Sequence, residues 1–376
     1  MFRNNKIILL ILALLTAPAT NIANADFTFG TPVNLGPVVN TSASDVTPNT
    51  STDGLSLFFS SDRPGGYGDR DIWVTTRATT NDDWGIPVNL GPTINSSSRD
   101  SGPSISVDGL SLFFDSVLPG GYGDTDIWVS TRPTLSDPWR EPENLGPIVN
   151  SPYRDSGPSI SYDGLELYFG DIGVGPFRPG GYGGGDLWVT KRATTNDEWS
   201  DPVNLGPNVN TSTFDAAVNI SADGLVLFFM SRRDGGYGGL DIWLTRRATK
   251  DDPWGIPVNL GPPVSTSDND VHPSMSADGS TFYFASNRSG GSGGSDLWQV
   301  SIEPIVDLNA DGIVDSADMC IIVDNWGTDE PLCDIAPHPY GDGIVDRLDL
   351  ELFISYWEQE NMPQEPQGQE NSSETL

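Results

Sequence analysis

The densest group of metal-binding side chains lies at residues 307–318. Asp307, Asn309 and Asp311 stand at positions 1, 3 and 5 of this stretch, Asp315 and Asp318 at 9 and 12, and Gly312 at 6. Oxygen donors at this spacing suit a calcium ion, with the carbonyl of Ile313 available at position 7 and glycine making the sharp turn between ligands. A second copy ends the same way, with Asp342, Gly343, Ile344, Asp346 and Asp349. Its opening departs from the pattern. Positions 1 and 3 fall on His338 and Tyr340, flanked by Pro337 and Pro339, while Asp334 lies four residues too early. Either Asp334 reaches back through a longer loop, or the second site is weak or empty. Each loop leads into an apolar helical stretch, 319–326 and 350–357.

Other chemistry is sparse. No serine-nucleophile elbow, zinc motif or phosphate-cradling loop is present. Cys320 and Cys333 permit one disulfide or two free thiols, without C-x-x-C spacing. No catalytic residue is assigned.

The rest of the chain is built to hold a shape. Asp-Gly recurs at Asp53, Asp108, Asp163, Asp223 and Asp278, and a tryptophan after Asp-Ile or Asp-Leu at Trp73, Trp128, Trp188, Trp243 and Trp298. Between them stand an apolar strand such as Leu-Ser-Leu-Phe-Phe and a loop rich in glycine. Asp-Gly tolerates positive φ and signals a hairpin. Pro-Val-Asn-Leu-Gly-Pro recurs at 32–37, 87–92, 202–207 and 257–262, with a variant at 142–147. Each unit therefore carries four strands, and five units predict an all-β, five-bladed propeller. The fifth unit lacks its fourth strand, and a spare one stands at 29–36. A propeller uses it to close the ring, whereas a solenoid would leave it as a sticky edge.

Five irregular acids break the repeat: Asp115, Glu141, Glu143, Glu166 and Asp171. Their positions are scattered over strand ends and loops, with no evident convergence. Leu118 replaces the arginine found at Arg63, Arg178, Arg233 and Arg288, and blade 3 carries an insertion within 171–179. His272 is the one histidine of the repeats and reads as a solvated loop residue. The recurring Asp45, Asp100, Asp155, Asp215 and Asp270 read as turn caps near one mouth of the channel, although a ring of carboxylates could hold a cation.

The phrase Ser-x-Asp-Gly, aromatics, Ser-x-Arg, Gly-Gly-Tyr-Gly, Asp-Ile-Trp resembles the TolB-type propeller repeat, a relative of the WD repeat, over about residues 27–302. That resemblance implies a binding or scaffolding module of exported proteins with no common catalytic set. The loop at Asp307 has EF-hand spacing. Aspartate at its twelfth position and a following helix without an entering one resemble the type I dockerin family. This implies a small α-helical, calcium-binding domain and a cohesin-like protein partner.

Arg3 and Lys6, the apolar run 7–15 and Ala23-Asn24-Ala25 form a secretory signal. The expected organisation is a signal peptide over 1–25 cleaved near Ala25, a propeller over 26–302, a dockerin over 303–358 and a disordered tail over 359–376. The mature protein is then secreted, extracellular or at the cell surface, with a monomeric propeller and no membrane span. A formal charge of −33 argues against nucleic acid as a partner.

These features put first an exported, non-catalytic binding or scaffold protein in polysaccharide breakdown. The propeller would contact a polysaccharide or envelope protein, and the dockerin a cohesin-like module. The alternative is a glycoside hydrolase or lyase on the propeller. In a calcium titration of segment 303–358, Asp307→Ala with Asp311→Ala is expected to abolish the tighter binding event. Unchanged binding would rule out the loop as a calcium site.

Overall fold

The computed structural model describes residues 27–171, 177–304, 306, 308, 314–328, 333–336 and 344–361. Four sheets of four antiparallel strands follow one another along the chain. Blade 1 consists of Asp45–Thr50, Ser56–Ser61, Asp71–Thr76 and Val88–Asn89, and blades 2, 3 and 4 repeat that order. Blade 5 takes Asp270–Met275, Thr281–Ser286 and Asp296–Pro304 from the end of the repeats, and Val33–Asn34 from the start. Asn34 pairs with Trp298 and donates to Asp296 at 3.0 Å. Phe27–Phe29 extends the same edge against Ile302, Glu303 and Pro304. The spare strand closes the ring, as its sequence predicts.

The second strand of each blade is apolar on both faces because both faces are covered. Leu57 and Phe59 pack with Tyr283 and Leu297 of blade 5, whereas Phe58 packs with Leu112, Phe114 and Trp128 of blade 2. The remaining interfaces are built alike, with Phe113 against Phe169 and Trp188, Tyr168 against Phe229 and Trp243, and Phe228 against Phe282 and Phe284. The repeated tryptophans are inter-blade packing.

Local polar chemistry repeats just as faithfully. Asp71 accepts from the backbone of Tyr67 and Gly68 and from Asn89, so its carboxylate ties the glycine loop to two strands. A Cβ at Gly68 would lie 1.9 Å from the carbonyl oxygen of Ser98, so only glycine lets this loop touch the next blade. The five aspartates that open the inner strands are fully buried. Asp215 takes the backbone N–H of Thr211 at 2.7 Å, the hydroxyl of Ser231 at 2.5 Å and the guanidinium of Arg233 at 2.7 Å. Arg233 lies over the rings of Phe229 and Trp243. These aspartates are anchors, which agrees with their sequence reading as caps. In blade 2, where Leu118 stands in place of the arginine, burial pushes the Asp100 carboxyl up from its ordinary value.

Two helices, Ser316–Asp324 and Arg347–Asn361, pack about Ile322, Cys333, Ile335, Val345 and Phe353. Cys320 is exposed, Cys333 is buried, and the two are not bonded. Among the described residues no helix is long and apolar enough to cross a membrane. The signal segment and most of the expected tail lie outside the described residues.

Removing one partner of a buried ion pair leaves the other charge uncompensated, at a cost of about 3–5 kcal/mol. Asp215→Ala is expected to lower the unfolding free energy by that amount in a denaturant titration. A loss under about 1 kcal/mol would mean that Arg233 finds water instead.

Candidate functional site in the channel

The inner strands of all five blades face one axis, and each carries a bulge two residues after its recurring aspartate. There the register of pairing shifts and φ turns positive: Thr47 at 54°, Gly102 at 61°, Gly157 at 61°, Ala217 at 49° and His272 at 54°. Three of these five are not glycine, so the ring holds side chains in a conformation they disfavour. The bulges aim the backbone at a channel cavity of about 530 Å³, counted out to its open mouth.

Asp115 is the one carboxylate lining that cavity, and it is 1 % exposed. It stands where the other blades carry Ser60, Gly170, Met230 and Ala285. Its Oδ1 accepts from the N–H of Gly157 in the next blade at 3.0 Å, and its Oδ2 has no partner. A Cβ at position 102 would come within 2.4 Å of Oδ1, so Gly102 makes room for the carboxylate. The Oγ of Ser101, on the same cavity wall, is buried and unpartnered as well.

Three basic side chains surround this group. His272 is half-buried, with its Nδ1 sealed from solvent and unpartnered. Burial, with Arg70 and Arg99 adding to it, pushes its imidazole down to about 3, so it is neutral at pH 7. Arg99 lines the cavity and its Nε is unpartnered. Arg70 is bridged to Arg99 through the backbone, Asp100 N to Arg70 O at 2.8 Å, and burial followed by repulsion from Arg99 lowers its pKa. Asp62, Asp115 and Asp45 act on Arg70 in the opposite direction, and Asp62 is 3.9 Å away.

Two sequence expectations need correction. His272 is not a solvated loop residue, because the inner-strand bulge turns it onto the channel axis. The irregular acids are not all scattered, since Asp115 lines one cavity with His272 and Arg99. The others do stay apart. Glu166 is saturated by Lys191, Arg247 and the Tyr168 hydroxyl at 2.5, 2.8 and 2.7 Å. Burial alone would raise its pKa, but these partners hold it below the ordinary value. Glu141 and Glu143 are exposed. A larger groove of about 1260 Å³ between blades 2 and 3 is lined by Glu143, Asp108, Asp163, Asp197 and Glu198; Asp108 and Asp163 are turn residues present in every blade, and Glu143 and Glu198 are exposed. Sequence reasoning passed over Arg70 and Arg99. Arg70 stands out once the five copies are aligned, since it matches Thr125, Gly185, Leu240 and Ser295, whereas Arg99 has a counterpart in Arg154 of blade 3.

Of the candidate calcium ligands, Asp307, Asn309, Asp311, Ile313 and Asp342 lie outside the described residues. Ile344 is exposed. Asp315 and Asp346 cap the two helices in the same way: Asp315 takes the N–H of Ala317 at 2.6 Å, and Asp346 that of Leu348 at 2.7 Å. Asp318 and Asp349 are fully buried and fold back onto the N–H of Asp315 and of Asp346. Asp349 also takes the N–H groups of Ile335 and Ala336. Among the described residues no three ligating side chains come close enough to hold a metal ion.

No family model matches the chain, and no curated protein matches it. Solved structures do. TolB from Acinetobacter baumannii is 16 % identical over 71 % of this chain, with a TM-score of 0.44. The chain spans 56 % of that protein's length. An alpha-L-arabinofuranosidase from Podospora anserina in complex with cellotriose is 14 % identical, covers 74 % of this chain and 96 % of its own, and has a TM-score of 0.48. One from Lactobacillus brevis is 14 % identical over 71 % of this chain and 92 % of its own, also at 0.48. Similarity at this level concerns the ring alone. The expectation of a non-catalytic scaffold is corrected toward its alternative, a glycoside hydrolase or lyase on the same ring. Enzymes stand among its structural neighbours, and irregular side chains do converge in its channel.

Asp171 offers a separate test. It replaces the serine that the other blades carry at Ser61, Ser116, Ser231 and Ser286, and burial raises its carboxyl to about 6. A carboxyl that binds its proton more tightly when folded loses stability as pH rises from the unfolded value near 3.8 to the folded one. Asp171→Ser restores the repeat. Its stability advantage over the native chain is expected to grow by about 2–3 kcal/mol between pH 4 and pH 6.5 in urea titrations. A constant difference across that range would show that Asp171 titrates normally.

Proposed function

We propose that the ring is a glycan-cleaving enzyme, a glycoside hydrolase or lyase, working at the mouth of the channel. The carrying observation is the Asp115 carboxylate. It is buried, fixed by Gly157 through one oxygen, and free at the other in a cavity that all five blades line. Chemistry happens once per channel, so a catalytic acid has to break the repeat, and Asp115 does so where the channel is polar. Its free oxygen is placed to pass a proton to or from a sugar oxygen, as general acid–base catalysis requires. No second carboxylate lines this cavity among the described residues, so Asp115 alone is assigned as the general acid–base.

The C-terminal helices are proposed to form a dockerin-type module ordered by calcium and docking to a cohesin-like partner. The matched caps at Asp315 and Asp346 favour this reading, since positions 9 and 12 of both loops are used identically. The donor set of the first loop suits calcium, with hard oxygens and no thiolate or imidazole. With the N-terminal signal, this amounts to an exported, tethered enzyme of polysaccharide breakdown.

Turnover on a panel of plant and algal polysaccharides, measured by reducing-end or unsaturated-product assay, is expected to fall at least about 10²–10⁴-fold in Asp115→Asn with an unchanged melting temperature. No turnover by the native chain on any member, or full activity in the variant, would overturn the proposal.

A further inference from the structure

The channel mouth carries the wrong charge for a protein of this composition. The chain has a formal charge of −33, yet the channel cavity that Asp115 lines collects Arg99 and the His272 imidazole, with Arg70 beside Arg99, against a single carboxylate. Burial first, and then repulsion from the two guanidinium groups, lowers the proton affinity of His272, and burial followed by repulsion from Arg99 lowers that of Arg70. They are therefore held together at an electrostatic cost. Elsewhere in the ring, the arginines that lead the glycine loops are each matched to a buried aspartate at 2.5–2.8 Å. Arg99 has no such partner. Its Nε is without an acceptor, and beside it on the cavity wall stand the unpartnered His272 Nδ1 and Ser101 Oγ. Buried polar groups are ordinarily satisfied, and Arg99 Nε, which can only donate, marks the place of a missing acceptor.

We infer that this mouth binds the acid group of its ligand, so that the glycan it takes is anionic: a sugar bearing a carboxylate or a sulfate. This rests on the glycan-cleaving reading for the word glycan, and on the channel side chains alone for the word anionic. A planar oxyanion suits the forked guanidinium of Arg99, which donates through two nitrogens at once. Arg70 adds charge beside it. Asp115 lines the same cavity as Arg99, so the ligand's acid group would be held by Arg99 while its reacting oxygen faces Asp115.

The test uses the full chain and three small probes in calorimetric titration: glucuronate, glucose 6-sulfate and glucose. Binding of either anion at least about tenfold more tightly than glucose supports the inference, and the preferred anion names its source. Arg99→Gln is expected to remove that preference, and Arg99→Lys to keep part of it. Asp115→Asn is expected to tighten anion binding, since it deletes the one negative charge in the cavity, while it abolishes turnover. Equal binding of glucose and the anions, or an anion preference that survives Arg99→Gln in a folded protein, overturns the inference. Anion binding that follows these rules in a chain without turnover would instead leave it standing and remove the enzymatic reading.

Discussion

Each blade of this protein is a sheet that is apolar on both faces, and that single constraint forces the rest. A sheet with Leu57 and Phe59 on one side and Phe58 on the other has no face to offer water. It needs a neighbour on each side, so no run of blades can end. The chain answers by returning its first strand to its last sheet, where Asn34 reaches Asp296 as Asn89 reaches Asp71 in blade 1. Closure is thus enforced by burial, and the small hydrogen bonds at the seam set its register. In four of the five blades an arginine that bridges the inner-strand aspartate to aromatic rings works in the same direction. It neutralises a charge that the packing has buried.

A ring closed in this way has one place where its parts must differ. Its blade interfaces are occupied by conserved-looking repeats of the same contacts, and its outer grooves repeat with the turns that form them. Only the axis is shared by all blades, and a side chain there has no symmetric counterpart unless the sequence supplies one. The five copies serve as controls for one another. Against Ser60, Gly170, Met230 and Ala285, Asp115 is an exception, and so is His272 against Thr47, Gly102, Gly157 and Ala217. Both exceptions open onto the same cavity. Independent drift would not be expected to place them together.

The ring was legible in the sequence because its causes are local. Asp-Gly turns, two-sided apolar strands and the displaced Pro-Val-Asn-Leu-Gly phrase all announce themselves within a few residues. The helices were legible too, although each begins three residues earlier than its apolar stretch, because Asp315 and Asp346 act as N-caps ahead of it. The channel was not legible. Its geometry rests on a bulge whose left-handed residue is glycine in only two blades, so Asp-Val-His-Pro gave no sign that His272 leaves the strand plane. Asp115 reads as a polar strand end, and only its pairing with Gly157, 42 residues away, turns it inward.

The cost of the channel explains why its chemistry is confined to one end. A buried polar atom without a partner costs about 1–3 kcal/mol. The cavity gathers such atoms on Asp115, Arg99, His272 and Ser101. Thr47, Ala217 and His272 add backbone strain at their positive φ angles. A fold stable by only 5–15 kcal/mol cannot carry this at many sites. The redundant aspartate anchors and the doubly covered strands supply the margin. The same atoms become satisfied when a ligand with an acid group and hydroxyls enters, so the energy withheld from the empty protein reappears as affinity. Unpaired groups of this kind discriminate most strongly against ligands that lack the matching partner. The arrangement that burdens folding is therefore also the one that would give the mouth its selectivity.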